Sequence, residues 1–448
     1  MPAAPARTRS TPTAPRHGSR RRRTGAAPDP GSLRAPLPVL SGRKRSRRAG
    51  NADPPREPGM TPSTAHTSLP VRIAATRAET LDRAVGELVD GLGAGPFPVV
   101  LLFSSPRYPP EDLVPRLARA IDAPIAGCTS AGEIGPGGLV TGGAVAVALP
   151  AGGVTAQVFA AENARHLDLG LFDGWREQLG GAAPSGAAAG RGGDLGLVLA
   201  DGLCRREEHL VAALHDRFRP MRLVGASAGD DSRYEQTVVF AGDRVLPGGL
   251  VFVALELGGI PFRTFRLQDI RPLTEPLVIT GARVEERQVV EIEGRPAAEV
   301  FAELAGGPPE GPDDARIRSF SLMVTIGGEE YIRSVRRVLD DGSLELHSAI
   351  DEGVVVRIGR SDDTTVGLRR LVESLERNAE RPDLVLCFDC LHRRWELERQ
   401  GRLDQASELL RALPVVGFTT YGEIVDSLHV NQTLTGVLIG GSVRGEPA

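Results

Sequence analysis

One short pattern occurs three times in this chain and limits what it can fold into. It reads Gly127-Cys128-Thr129-Ser130-Ala131-Gly132-Glu133, then Gly225-Ala226-Ser227-Ala228-Gly229-Asp230, then Gly417-Phe418-Thr419-Thr420-Tyr421-Gly422-Glu423. Each copy joins a glycine, small or hydroxyl residues, a second glycine and an acid. Each follows an apolar pair: Ile125-Ala126, Leu223-Val224 and Val415-Val416. A repeated supersecondary unit settles architecture before any single-element reading does.

The repeat extends beyond the motif. Upstream of each first glycine lies a continuous apolar run, at 99–103, 195–200 and 384–388. Such runs, bounded by Pro, Gly or Asp, predict strands buried on both faces. A loop carrying arginine follows each run: Arg107, Arg205-Arg206 and Arg393-Arg394. Next comes an amphipathic helix. Leu113, Val114, Leu117 and Ile121 share a spacing with Leu210, Val211, Leu214 and Phe218, and that stripe faces a core. The third helix is looser, with Leu403, Leu409, Leu410 and Leu413. A further strand follows each motif, at 144–149, 251–255 and 437–439. The fold class is therefore α/β, with repeated strand-loop-helix-strand units forming mixed sheets. Sheets of this kind bind ligands at the ends of their strands.

At 448 residues the chain exceeds one ordinary core, so two domains are expected, 69–258 and 259–445, divided near Gly258-Gly259. The first opens with a strand at 71–75 and a helix at 79–92, and the Gly/Ala-rich stretch 180–193 is a loop. The second carries strands at 262–267, 276–280 and 284–292. Its helix at 297–304 has Pro296 at the first helical position. A turn-rich connector at 306–314 leads to an added antiparallel segment, with strands at 320–326, 331–339 and 354–358. A helix at 364–378 leads into the third copy.

Residues 1–68 are different material. Positions 1–59 hold 14 Lys and Arg against 3 Asp and Glu, leaving 39 against 54 in the rest. This Pro/Arg-rich segment has no apolar periodicity and cannot bury enough surface to order itself. It is a nucleic-acid-binding tail, an Arg-rich transit peptide, or sequence ahead of a true start at Met60; the last is favoured. Nucleic acid is not expected to bind elsewhere. No run reaches the roughly 18 apolar residues of a membrane helix, so no membrane is expected. Four cysteines without disulfide spacing fit a reducing compartment, and the body is expected to be cytoplasmic.

These residues carry a resemblance. Gly127 to Ile134, Val224 to Asp231, Glu293-Gly294-Arg295-Pro296-Ala297, Gly417 to Ile424 and Asn431-Gln432-Thr433 are similar to the motifs of FIST-domain proteins. The order matches an N-terminal FIST domain followed by a FIST C-domain, over residues 71–441. The resemblance implies a bacterial-type sensory or signal-transduction module that binds a small ligand, amino acids being the usual proposal. It also implies an alternative, because some relatives bind haem and sense nitric oxide, while others carry an F-box. No kinase, methyl-accepting, cyclase or F-box pattern accompanies the motifs, so the output goes to a downstream signalling protein of unknown identity. In related chains the third apolar run ends in a Cys with Arg two or three residues on. Here the segment is Cys387-Phe388-Asp389-Cys390-Leu391-His392-Arg393-Arg394, and the Arg is displaced.

The motif suggests a binding chemistry. Its glycines permit positive φ and close backbone approach, and successive N–H groups can converge on an anion. The hydroxyls of Thr129, Ser130, Ser227, Thr419 and Thr420 add bonds. Glu133, Asp230, Asp231 and Glu423 receive an ammonium group, and Arg107, Arg205 or Arg393 clamps a carboxylate. The candidate ligand set is Gly127, Cys128, Thr129, Ser130, Gly132 and Glu133; Ser227, Gly229, Asp230 and Asp231; Asp389 and Arg393; and Gly417, Thr419, Thr420, Gly422 and Glu423. Against it stands the plainer reading that each acid caps a turn.

Cys128 invites a nucleophile reading. No His adjoins it, and Ala226 and Phe418 replace it in the other copies, so a buried hydrophobe is favoured. Cys387 and Cys390 form one CxxC without the second pair a structural zinc needs, so no metal is expected. Among His347, His392 and His429, sequence does not choose a haem ligand. Trp175 and Trp395 are packing residues. With no nucleophile, base and orienter together, no catalytic residue is assigned. The expected function is a sensor for a small polar or zwitterionic ligand, the alternative a haem-based nitric-oxide sensor, and a thiol-dependent enzyme stands third.

Overall fold

The computed structural model describes residues 69–180, 194–308, 312 and 314–444. The basic segment 1–68, most of the 180–193 loop and part of the 306–314 connector lie outside the described residues. The three apolar runs form the strands Val99–Ser104, Leu195–Ala200 and Leu384–Cys390, every residue buried. Each lies parallel to its motif strand, Ile125–Thr129, Arg222–Ser227 or Val415–Thr420. Parallel neighbours need a crossover, supplied by the helices Pro110–Ile121, Glu207–Phe218 and the pair Leu391–Arg399 and Leu403–Arg411.

Three six-stranded sheets repeat one order. The first runs Arg72–Thr76, Ala144–Leu149, Val99–Ser104, Ile125–Thr129. The second runs Thr155–Ala161, Leu250–Glu256, Leu195–Ala200, Arg222–Ser227, and the third Phe262–Leu267, Leu434–Ile439, Leu384–Cys390, Val415–Thr420. A hairpin from a different copy completes each sheet. Glu133–Gly135 and Gly138–Val140, after the first motif, add to the third motif strand. Gly422–Val425 and Leu428–Val430, after the third, add to the second. Val238–Gly242 and Arg244–Pro247, after the second, add to the first. The exchange closes a ring, so no copy can leave without breaking a strand ladder. Strands from both sides of residue 258 therefore share the second and third sheets.

Period-2 alternation explains the layers. Val99, Leu101 and Phe103 point into one central core with Leu195, Leu197, Leu199, Leu384, Leu386 and Phe388, so all three sheets meet there. Phe103 stacks on Phe418 at 4.6 Å and meets Phe388 edge-on at 6.4 Å. The intervening side chains face outward under helices: Val100 and Leu102 under Leu81–Leu92 and Pro110–Ile121, Val198 under Glu207–Phe218, Val385 under Val366–Arg377.

The first glycine of each motif is a strand residue rather than a turn residue. A Cβ on Gly127, Gly225 or Gly417 would lie 1.8, 1.9 or 1.8 Å from the carbonyl oxygen of Leu102, Val198 or Cys387. The parallel pair approaches so closely that only glycine fits.

The antiparallel segment is an insertion into the third copy, between Phe262–Leu267 and Val366–Arg377. Its nine strands curl around Ile279, Phe301, Leu322 and Ile358. Four details correct the sequence reading. The single strand expected at 284–292 is broken by a 3-10 turn, Val284–Glu286, and left-handed Arg287, so Leu277–Arg283 and Gln288–Ile292 pair as a hairpin. The strand at 331–339 divides into Glu329–Arg333 and Val335–Val338 around buried Ser334. Pro296 stands at the N-cap of Ala297–Leu304, one residue before the expected place. The arginine loop of the third copy does not exist: Leu391–Arg399 begins directly after the strand, with Cys390 as its N-cap. Among the described residues no helix is long and apolar enough to cross a membrane.

Candidate functional site

All three motifs meet at the C-terminal ends of their strands. Ala131 N donates to Thr419 O at 2.9 Å and Thr419 N to Gly132 O at 2.7 Å. Gly229 N donates to Thr129 O at 3.0 Å, Asp231 N to Ser130 O at 3.1 Å, and Tyr421 N to Ser227 O at 3.4 Å. These N–H groups were expected to converge on an anion; they instead tie the copies together.

The acids of the first and third copies have matching environments. Glu133 accepts from Ser130 Oγ at 2.5 Å and from Gly143 N at 2.8 Å. Glu423 accepts from Thr420 Oγ1 at 2.6 Å, Thr433 Oγ1 at 2.7 Å and Thr433 N at 3.2 Å. Both are buried. Loss of hydration disfavours the charged form and pushes the Glu133 carboxyl up to about 7 and that of Glu423 to about 8, against the pull of these hydrogen bonds.

The second copy departs from this pattern, and the departure builds a packed aromatic cluster. Counted from the first glycine, Asp231 rather than Asp230 stands where Glu133 and Glu423 stand. Asp231 accepts from Ser105 Oγ at 2.6 Å. Asp230 gathers a loop around itself: Tyr234 N, Glu235 N and Gln236 N donate to it at 2.8, 2.7 and 2.9 Å, and so does Tyr421 Oη. Asp231, Ser232 and Tyr234 all take left-handed φ in this loop, a conformation rare for non-glycine residues. The loop lays the Tyr234 ring on Tyr421, centroids 4.3 Å apart. Leu203, Tyr234 and Trp395, each half-buried, pack there around Ala131, Leu391 and Tyr421. His347 and His392 adjoin this cluster, beside Tyr234 and Trp395, with their Nε2 atoms 3.0 Å apart. Burial holds His392 down at about 4; burial and the neighbouring His392 hold His347 well below its ordinary value. Both rings are neutral at physiological pH.

Neighbouring arginines on one helix go to different places, because consecutive helical side chains point in different directions. Arg393 turns to Asp389 at 2.8 Å and to the Thr364 carbonyl at 2.6 Å, with Asp269 at 3.7 Å. Arg394 reaches the motifs: its Nη1 donates to Val140 O at 3.0 Å and to Thr419 Oγ1 at 3.4 Å, and it fills the space where a Gly132 Cβ would be. Asp269, His392 and Arg393 line a small cavity between the insertion and the third copy. Asp269 Oδ2, His392 Nδ1, Arg393 Nε and Asp389 Oδ2 are buried without hydrogen-bond partners among the described residues.

The structure thus brings Thr129, Ser130, Gly132, Glu133, Ser227, Gly229, Asp230, Asp231, Thr419, Thr420, Gly422 and Glu423 to one hub, with Asp389 and Arg393 beside the adjoining cavity, while Gly127 and Gly417 stay within their strands. Arg205 pairs with Glu345 and Arg107 lies exposed against Gly142, so neither joins the cavity. Cys128 is packed in the central core, and burial pushes its thiol well above the ordinary range. Cys387 and Cys390 are buried free thiols. His429 faces Glu208 at 3.3 Å. Among the described residues no three His, Cys, Asp or Glu side chains are placed to hold a metal ion. Sequence patterns did not mark Tyr234, Tyr421, Asp269 or Arg394 as site residues, because each acquires its place only through partners distant in sequence. The one available signal was that Asp230 breaks the spacing shared by the other two copies.

Two family profiles match the chain. Residues 98–295 match the FIST N domain and residues 297–426 the FIST C domain. No curated protein matches it.

Proposed function

The chain belongs to the FIST family of sensory domains, and from that premise we propose that it is a signal-transduction sensor whose stimulus is a small polar or zwitterionic ligand such as an amino acid. One observation carries this reading. The three motifs lock into a single hub at the strand ends, where open α/β sheets take ligands. Beside that hub, Arg393 is ion-paired with Asp389 and Asp269, yet single buried atoms of both signs lack hydrogen bonds among the described residues: Asp269 Oδ2 and Asp389 Oδ2, Arg393 Nε and Nδ1 of neutral His392. Unmet buried polar atoms are costly, and a ligand with an ammonium and a carboxylate answers both signs. The hub also connects the site to all three sheets, so a ligand that tightens it acts on the whole fold. The output passes to a separate signalling protein, and four buried free thiols suit a reducing, cytoplasmic setting.

The test is a thermal-shift screen of the full chain against amino acids, small carboxylates and hemin. Binding to the folded state alone at 100 times the dissociation constant adds about 2.7 kcal/mol, a clear rise in Tm. A rise with amino acids or carboxylates supports the reading. A response to hemin alone, with a Soret band, replaces it by the gas sensor, and no response to any of them overturns it.

A further inference from the structure

One buried carboxylate on the insertion collects three guanidinium groups from two sides of a seam. Glu345 lies in the strand Leu344–Leu346 with 2 % of its side chain exposed. Arg337 Nε donates to Glu345 Oε2 at 2.5 Å, Arg336 Nη1 to Oε1 at 3.2 Å, and Arg205 Nη2 to Oε1 as well. Burial pushes the Glu345 carboxyl up, but the Arg337 hydrogen bond and the charges of Arg336 and Arg205 outweigh it and hold the group below its ordinary value. Glu345 is therefore ionised at neutral pH.

Two backbone features build this arrangement. Consecutive side chains of a regular strand point to opposite faces, so Arg336 and Arg337 would not ordinarily reach one carboxylate. The ladder between Val335–Val338 and Leu344–Leu346 shifts register there: Val335 faces Leu346, while Arg337 already faces Glu345. Such a bulge re-aims a side chain, and Arg336, at the shift, turns to the same carboxylate as Arg337. Arg205 comes from the second copy, in the loop between Leu195–Ala200 and Glu207–Phe218, and takes a left-handed φ of 59°. That conformation is uncommon outside glycine, and such residues cluster at ligand clamps.

One guanidinium would neutralise Glu345; three leave two positive charges in excess. Deeper in the seam, Arg287 and Arg333 balance Glu207 and Glu208 and absorb none of the surplus. Arg205, Arg336 and Arg337 each spend one nitrogen on Glu345 and make no other side-chain hydrogen bond among the described residues. None of the three is buried, so two nitrogens on each face solvent. Arg336 also lies over the Tyr234 ring, 5.4 Å from its centroid, which joins this cradle to half-buried Tyr234 and Leu203.

We propose that Arg205, Arg336 and Arg337 bind a phosphate monoester dianion, with Glu345 as the base that holds the guanidiniums in position. Two negative charges match the two in excess, and the planar forks of arginine take phosphate oxygens bidentately. The site is separate from the hub, and the sensor reading does not depend on it. Because Arg205 belongs to the second copy and the other two to the insertion, the bound anion ties these parts together.

Isothermal titration of the full chain with inorganic phosphate, AMP and adenosine at low salt tests this. Phosphate and AMP are expected to bind and adenosine not. AMP binding tighter than phosphate places the organic group against Tyr234 and Leu203; equal affinity leaves the phosphate group alone as what is recognised. Affinity should fall as salt rises, because partly exposed charges are screened, and a salt-independent affinity contradicts the site. Arg336→Gln and Arg337→Gln each leave Glu345 with two guanidiniums, so the fold keeps its ion pair. Each should weaken AMP binding roughly ten- to hundredfold, the worth of a hydrogen bond to a charged group. If both variants bind AMP as tightly as the parent, the anion sits elsewhere, the basic segment 1–59 included, and the site is overturned. Adenosine binding as tightly as AMP, or no binding of phosphate and AMP at all, overturns it too.

Discussion

Glu423 offers a quantitative test of how the hub is held. Its carboxyl is fully buried and accepts from Thr420 Oγ1, Thr433 Oγ1 and Thr433 N. Burial lifts it from an ordinary 4.5 to about 8. The folded state therefore binds this proton more tightly than the unfolded state, and stability falls with pH wherever that is so. The contribution is complete below about 4.5 and is lost as pH rises through about 8. At 1.36 kcal/mol per pH unit, that window corresponds to roughly 4 to 5 kcal/mol. Glutamine has the same shape and no titration; its oxygen can accept from Thr433 while its amide donates to the Thr420 hydroxyl. Glu423→Gln should therefore be about as stable as the parent near pH 5 and more stable than it near pH 9. The assay is the urea-unfolding free energy of both proteins at pH 5, 7 and 9. The variant should gain on the parent by several kcal/mol across the series. A difference that stays constant, or a parent that gains on the variant as pH rises, refutes the argument that this carboxyl is held protonated by burial.

Other consequences are equally direct. Gly417→Ala places a methyl group 1.8 Å from the Cys387 carbonyl oxygen and should cost at least about 1–3 kcal/mol as an overpacked site, read as a lower urea midpoint; an unchanged midpoint would show that the parallel pair can spread. Arg287→Ala leaves Glu207 and Glu208 without the guanidinium that meets them at 2.5 and 2.7 Å and should cost about 3–5 kcal/mol, as when one partner of a buried ion pair is removed, measured by the same unfolding; a loss under 1 kcal/mol would place the pair in solvent. All four buried cysteines should resist Ellman's reagent in the native protein and react after denaturation, and rapid native labelling would contradict their burial. Because His347 and His392 bond to each other through Nε2, hemin added to the native protein should produce no Soret band of axially ligated haem.

The repeat made much of the architecture legible. Apolar runs long enough to be buried on both faces, each answered by an amphipathic helix, can only pack as sheet under helix, and Val99–Ser104, Leu195–Ala200 and Leu384–Cys390 do so. The added antiparallel segment was legible for the same reason. Its breaks at left-handed Arg287 and buried Ser334 were not, because each is a single residue, and one residue leaves no mark on periodicity. The plain reading of the acids as turn-holding groups describes Asp230, with three backbone N–H bonds, and the environments of Glu133 and Glu423 follow the same logic.

The sequence by itself determined the strands, the crossover helices and the threefold repetition. These follow from local spacing and from side-chain volume, which the chain carries wherever it goes. Only the tertiary structure decided that each tail hairpin joins another copy's sheet, that Tyr234 lies on Tyr421, and that Asp269 faces Arg393. Strand pairing is made through backbone groups common to every residue, so which edge a short hairpin completes depends on which edges are free in three dimensions. Burial then selects which polar side chains keep a partner, and the motif alone does not decide that.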